Sequence, residues 1–224
     1  MKNLAKILVM LITSITIAQD DIEKTIGEFS TLKVYDLIEV AMIQSDEDKV
    51  VISGKNTEDV SVVNKNGKLK IKMKLKEIFD GDDTKVTLYY TKIDLIDVNE
   101  GAKVWLKNTI KQFEIDFKAQ EGGRIESDVD VTYLNIRAVT GGVIQVNGSS
   151  KHQDVSLYTG GIYQGEDCKT EDTKIAIRAA GEAHVNASEE VNIKIRAGGD
   201  VYIYGNPRVV DESRVFGGRI KRVN

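Results

Sequence analysis

The chain has 224 residues, with 31 Lys and Arg against 35 Asp and Glu, one Cys, one Pro and 19 Gly. A mildly acidic balance excludes nucleic-acid binding by bulk electrostatics, and a lone cysteine excludes an intramolecular disulfide or a cysteine metal cluster. One proline against 19 glycines suits a strand-rich fold, because Pro cannot donate to a hydrogen-bond ladder.

Residues 1–18 read as a secretory signal. Lys2 and Lys6 open it, residues 7–17 are apolar apart from Thr13, Ser14 and Thr16, and small residues stand at Thr16 and Ala18. That pattern predicts cleavage after Ala18. The alternative is an uncleaved anchor, but the apolar run is shorter than the ~20 residues a spanning helix needs. No Cys follows it, which argues against a lipid anchor, and no later stretch is apolar enough to cross a bilayer. Removal of Lys2 and Lys6 leaves 29 basic against 35 acidic residues, 29 − 35 = −6. The expected location is the periplasm, the outer-membrane surface or the medium. Residues 19–28 read as a short linker, and residues 29–224 as a single domain.

Within it, residues 29–99 are β-rich but irregular. Thr31-Leu32-Lys33-Val34, Ile38-Glu39-Val40, Lys49-Val50-Val51-Ile52, Leu69-Lys70-Ile71-Lys72-Met73 and Val86-Thr87-Leu88-Tyr89 read as strands. Asn66-Gly67 between apolar runs signals a hairpin, and Asp80-Gly81-Asp82-Asp83 a loop. This segment suits a cap that protects the first coil of a repeat from edge-to-edge association.

From residue 101 the chain repeats. Small pairs recur at Gly101-Ala102, Gly122-Gly123, Gly141-Gly142, Gly160-Gly161, Ala180-Gly181, Gly198-Gly199 and Gly217-Gly218, with spacings of 21, 19, 19, 20, 18 and 19. A short strand follows each pair, and a second strand precedes it at 113–119, 133–139, 155–159, 175–179 and 191–197. Five residues before the pairs stand Phe117, Ile136, Val155, Ile175 and Ile193, and three before them Ala119, Ala138, Leu157, Ile177 and Ile195. The period of two excludes a helical solenoid, and nineteen residues are too few for the roughly 40 of a propeller blade. The fold class is therefore all-β: a right-handed, single-stranded parallel β-helix. Its regular coils span 100–224, and the small pairs mark corners that need positive φ or close backbone approach. Gly205-Asn206-Pro207 breaks the pattern, residues 208–214 lose the apolar columns, and Arg219, Lys221 and Arg222 suit a solvated end.

With the repeat placed, the chain resembles the bacterial head GIN domain family, the auto-transporter adhesins. Phe29-Ser30-Thr31-Leu32-Lys33-Val34, Ile38-Glu39-Val40, Val50-Val51-Ile52-Ser53-Gly54 and Asn66-Gly67-Lys68-Leu69-Lys70-Ile71 carry the likeness, followed by the Gly-Gly coils and Gly205-Asn206-Pro207. One departure stands out: Asp36-Leu37-Ile38-Glu39 replaces the Gly-Ile-Asn or Gly-Ile-Asp of the family. The resemblance implies a β-solenoid in the cell envelope and supplies no catalytic residue. No translocating barrel follows the repeat within these residues.

Catalysis on a β-helix would need a carboxylate pair in a groove. Glu182 and Asp200 fall on adjacent coils of one column, but Arg124 and Arg219 share that column, and two solvated acids are the plainer reading. His152 and His184 stand in different parts of their coils, which gives no shared metal site or triad. Cys168 lies in the acidic run Gly165-Glu166-Asp167-Cys168-Lys169, read as a loop whose carboxylates oppose thiolate formation. No cofactor or metal is called for, and the reading is of a non-enzyme. One outward column, Trp105, Glu126, Gln145, Gln164, His184 and Tyr202, combines aromatic, amide and acidic groups, the kit for docking a cell-surface glycan or an envelope protein; ordinary outer-face decoration is the plainer alternative. Trp105 is expected to face outward between inward Val104 and Leu106. A basic column, Lys118, Arg137 and Lys194 flanked by Tyr158, Arg178 and Arg196, suits an acidic glycan, a lipid headgroup or simply a solvated face. The leading expectation is adhesin-like recognition; a polysaccharide-active enzyme and a structural envelope role are the alternatives.

Overall fold

The computed structural model describes residues 21–74, 76, 78 and 80–223; the expected signal at 1–18 lies outside them. Parallel pairing needs a coil between partners, and a sequence whose alternating apolar and polar strands recur every nineteen or so residues supplies it. The strands β10 (Ile110–Gln120), β11 (Arg124–Val139), β12 (Val143–Tyr158), β13 (Ile162–Ile177) and β14 (Gly181–Ala197) stack in parallel, each on the next. The two apolar columns fall in register as expected. Phe117, Ile136, Val155, Ile175 and Ile193 are ladder partners, as are Ala119, Ala138, Leu157, Ile177 and Ile195. All ten are buried.

Two strands per coil were expected, separated by a break. Instead, β11 to β14 are single strands of 16 or 17 residues that bend without ending. At the bend the inward parity slips: Val131 and Leu134 are both buried while Thr132 and Tyr133 between them are not, and Ser150 and Gln153 flank Lys151 and His152 in the same way. Two consecutive side chains therefore face out at the bends of β11, β12 and β13, and three at that of β14. Phe113, expected to open an alternating half-buried strand, sits at such a bend and is 67% exposed.

The corners explain the paired glycines. Thr140 and Gly141 have φ of 49° and 71°, and the Gly142 N–H donates to the Val139 carbonyl at 3.0 Å. Two positive-φ residues closed by that bond make a type I′ turn. Gly142 has a different constraint: a Cβ there would stand 2.2 Å from the Ala119 carbonyl oxygen of the preceding coil.

Residues 29–99 are irregular in order rather than in kind. Their strands are β2 (Thr31–Val34), β3 (Glu39–Gln44), β4 (Lys49–Gly54), β5 (Val60–Lys65), β6 (Lys68–Met73), β7 (Thr84–Tyr90) and β8 (Leu95–Val98), followed by β9 (Lys103–Leu106). β2 pairs in parallel with both β6 and β8, and β3 with both β7 and β9. The first coil met in sequence thus lies between two later ones. Antiparallel strands close this end: β5 on β6 through the expected Asn66-Gly67 turn, and β4 on β7. The expected linker 19–28 contains a further strand, β1 (Ile22–Thr25), antiparallel to β4, because Ile22 and Ile26 pack against the core.

At the other end, β15 (Gly199–Tyr204) and β16 (Val209–Phe216) lie on β14, and β17 (Arg219–Arg222) lies on β15. Glu212 and Arg214 take the ladder positions of Ile193 and Ile195 and bond to each other at 3.0 Å. Inward-pointing charge ends the apolar core and discourages further stacking.

Cys168 is not in a loop. It lies within β13 and is fully buried; burial pushes its thiol up to about 11. Around it runs an interior polar chain, in which Gln153 Nε2 donates to the Tyr163 hydroxyl at 2.6 Å and the Thr170 and Thr173 hydroxyls meet at 2.8 Å.

Candidate functional site

The outward positions of the limb that follows each corner form straight columns, because parallel pairing puts like positions one coil apart, about 4.8 Å. Trp105 pairs with Glu126, Glu126 with Gln145, Gln145 with Gln164, Gln164 with His184, and His184 with Tyr202. All six expected residues therefore stand in one ladder, which continues to Ala41 beyond Trp105 and to Lys221 beyond Tyr202. Trp105 is half-buried, with the Lys107 ammonium 5.8 Å from its ring. Val104 is buried beneath it and Leu106 packs against the core.

The ladder is most structured at the His184 end. His184 stacks on Tyr202 with ring centroids 4.5 Å apart and 16° between planes, and Lys221 lies 5.4 Å over the far ring. His184 Nε2 lies 2.9 Å from a Glu182 oxygen, and Nδ1 3.2 Å from the Tyr204 hydroxyl. Both ring nitrogens are thus engaged and the imidazole is held face to face with its ladder partner Tyr202. An aromatic face, two glutamine amides and a carboxylate in a row can stack on and hydrogen-bond to an extended polymer.

Glu182 and Asp200 are ladder partners, as their spacing implied. Each is already occupied. Glu182 holds His184, and Asp200 receives Arg219 through two bonds of 2.7 and 2.5 Å, which keeps its carboxyl below the usual carboxylate range. A general acid needs the opposite displacement. His152 and His184 lie apart, one at a bend and the other on the limb after a corner. Among the described residues no group of three or more His, Cys, Asp or Glu side chains is placed to hold a metal ion.

The basic column also forms, with Lys118, Arg137, Ser156, Ala176 and Lys194 in one ladder. Tyr158 is flanked by the Arg137 and Arg178 guanidiniums at 4.4 and 5.0 Å.

A second aromatic row escaped the sequence reading. At the bends Phe113 meets Tyr133 at 5.2 Å, Tyr133 meets His152 at 4.9 Å, and His152 Nδ1 lies 3.1 Å from Asp172. Beside it runs an open groove of about 530 Å³ lined by Asn135, Asp154 and Asn192 among others. The row is legible as three ring-bearing residues at spacings of 20 and 19, although Phe113 stands one place off the ladder that Tyr133 and His152 share.

No curated protein matches the chain. Solved structures of similar fold include a "putative adhesin" from Bacteroides fragilis, with TM-score 0.83, 17% identity and coverage of 91% of this chain and 96% of that one. Others are a "putative adhesin" from Parabacteroides merdae (0.70, 14% identity, 92% and 96% covered) and one from Parabacteroides distasonis (0.68, 16% identity, 91% and 96% covered). At these identities the likeness is one of fold. The model of the family described as "Putative auto-transporter adhesin, head GIN domain" matches residues 28–207, and the chain belongs to that family.

Proposed function

We propose that this protein is a non-catalytic recognition module of the cell envelope or medium that docks an extended glycan along its outer face. The observation that carries the reading is the unbroken ladder Trp105, Glu126, Gln145, Gln164, His184 and Tyr202, with the His184–Tyr202 stack as its fixed end. Rigid aromatic side chains give contact area at low entropic cost, and the ladder sets them at its two ends, Trp105 at one and His184 and Tyr202 at the other, with the carboxylate and amides of Glu126, Gln145 and Gln164 on the coils between. The surrounding acids support a binding role over a catalytic one, since Glu182 and Asp200 are committed to His184 and Arg219. Family membership supports an adhesin-like role and export.

A glycan array probed with the chain after removal of residues 1–18 tests this. Binding to a subset of glycans, lost in Tyr202→Ala and in Gln145→Ala, is the expected result. An array without hits, or hits indifferent to both substitutions, removes the ladder from consideration. Release of new reducing ends from a bound polysaccharide overturns the non-catalytic reading.

A further inference from the structure

Residues 60–76 contain six lysines and no acid. Since the chain carries −4 overall, the remainder carries −4 − 6 = −10. The hairpin β5–β6 concentrates this charge on one face. Alternation buries Leu69, Ile71 and Met73 and turns Lys68, Lys70 and Lys72 outward. Ladder partners share a face, and the register pairs Lys65 with Lys68 and Val63 with Lys70, so Lys65 and Val63 join them. Val63 is 52% exposed, and a shallow depression of about 410 Å³ lies among these side chains.

Neighbouring lysines are neutralised: Lys33 by Asp97 at 2.5 Å, Lys55 by Asp83 at 2.5 Å and Lys74 by Asp59 at 3.8 Å. Lys65, Lys68, Lys70 and Lys72 form no ion pair with any described residue. Lys65 directly opposite Lys68 sets like charge against like charge, a destabilising cross-strand pair. The hairpin is nonetheless held firmly, since Asn64 Nδ2 donates to the carbonyls of Ile26, Gly27 and Glu28 at 3.0, 3.2 and 2.9 Å. A fixed face with uncompensated positive charge is complementary to an anionic surface.

We infer that the outer face of the β5–β6 hairpin docks on an anionic lipid bilayer, with Lys65, Lys68, Lys70 and Lys72 on headgroup phosphates and Val63 at the headgroup–acyl boundary. The exposed valine amid the lysines favours a bilayer over a soluble polyanion, which has no apolar layer to receive it. Lysine stems lie along apolar surface while their ammoniums reach water or phosphate. This site is separate from the glycan ladder, and its test does not depend on that reading.

Co-sedimentation of the chain lacking residues 1–18 with vesicles tests the proposal, using 30% phosphatidylglycerol in phosphatidylcholine against phosphatidylcholine alone. Binding only to the anionic vesicles, weakening as salt rises, is expected. At about fivefold per lysine, Lys65→Gln, Lys68→Gln, Lys70→Gln and Lys72→Gln together lower the partition coefficient on the order of several hundredfold. Val63→Ser lowers it at unchanged charge. A control with Lys85, Lys111, Lys151 and Lys169 changed to Gln removes the same charge elsewhere and keeps most of the binding. Equal loss in that control overturns the proposal, as does retention of dextran sulfate with no vesicle binding. Lysines also blunt exposed sheet edges; self-association of the quadruple hairpin variant with unchanged vesicle binding would assign them that role instead.

Discussion

The two glycines of one corner should fail for different reasons when each is changed to alanine. Gly141 has φ of 71° and open space around its Cα. Gly141→Ala therefore costs only the left-handed conformation, about 1–2 kcal/mol. Gly142 carries no positive φ, yet a Cβ there lies 2.2 Å from the Ala119 oxygen and 2.5 Å from its carbonyl carbon. Both are backbone atoms of the coil below and cannot rotate away. Relief requires the corner to lift by about 1 Å, which strains Gly142 N–H to Val139 O at 3.0 Å and Ile162 N–H to Gly142 O at 2.9 Å. Overpacking at about 1–3 kcal/mol plus two weakened hydrogen bonds at about 1 kcal/mol each puts Gly142→Ala near 3–5 kcal/mol. Urea unfolding followed by Trp105 fluorescence measures both, and Gly141→Asn should recover part of the loss at the first position, since Asn tolerates that region. Equal losses at 141 and 142, or the larger loss at 141, would refute the close-approach argument.

Ile177 is fully buried between Leu157 and Ile195, so Ile177→Asp should cost at least several kcal/mol while Arg178→Asp stays within about 1 kcal/mol; comparable denaturation midpoints would invert the inward and outward assignment. The buried Cys168 should resist a thiol reagent at pH 8 in the native chain and react at once in denaturant; rapid native labelling would place it at the surface. Its folded pKa is raised to about 11, so the protonated thiol stabilises the fold at neutral pH. That contribution should fade as pH rises from about 9, the ordinary thiol value, through 11, and Cys168→Ala should flatten part of the decline in unfolding free energy; Tyr163, likewise raised by burial, adds to the same decline, as do Tyr90, Tyr35 and Tyr204. Trp105 supplies all tryptophan emission and is half-buried, so acrylamide should quench it partially and a ladder-binding glycan should protect it; a fully shielded emission indifferent to ligand would make it a packing residue.

The regular coils were legible because parallel stacking sets like positions on like, so apolar character repeats in register and a nineteen-residue period survives in the letters. Phe117, Ile136, Val155, Ile175 and Ile193 could be aligned by counting back from Gly-Gly, and the ladder from Trp105 to Tyr202 by counting forward. The bends are less uniform: Ser188, Glu189 and Glu190 are outward in β14 where β11 has only Thr132 and Tyr133. Tyr133 and His152 share a ladder, but Glu114 and not Phe113 is the ladder partner of Tyr133, so the aromatic row crosses columns and no single column shows it. The order of the first coils was hidden for another reason. β2 is satisfied by β6 on one edge and β8 on the other, and a four-residue alternating strand says nothing about which neighbours it will take.

Leu37 shows what the missing family motif leaves intact. It holds φ of 62°, after Asp36 at 59°, where the later corners place Gly. A left-handed leucine costs about 1–2 kcal/mol, so something nearby must favour it. Its side chain covers Gly101 of the next coil, where an added Cβ would meet Leu37 Cδ2 at 2.6 Å. Asp36 accepts the Met73 N–H at 3.0 Å and is buried. The corner therefore survives without its glycine because leucine caps the neighbouring turn and aspartate ties it to β6, the strand that carries the lysine face. Asp36 thus joins the first corner to the basic hairpin, beside the β2–β6 ladder and the Asn64 bonds that also hold it.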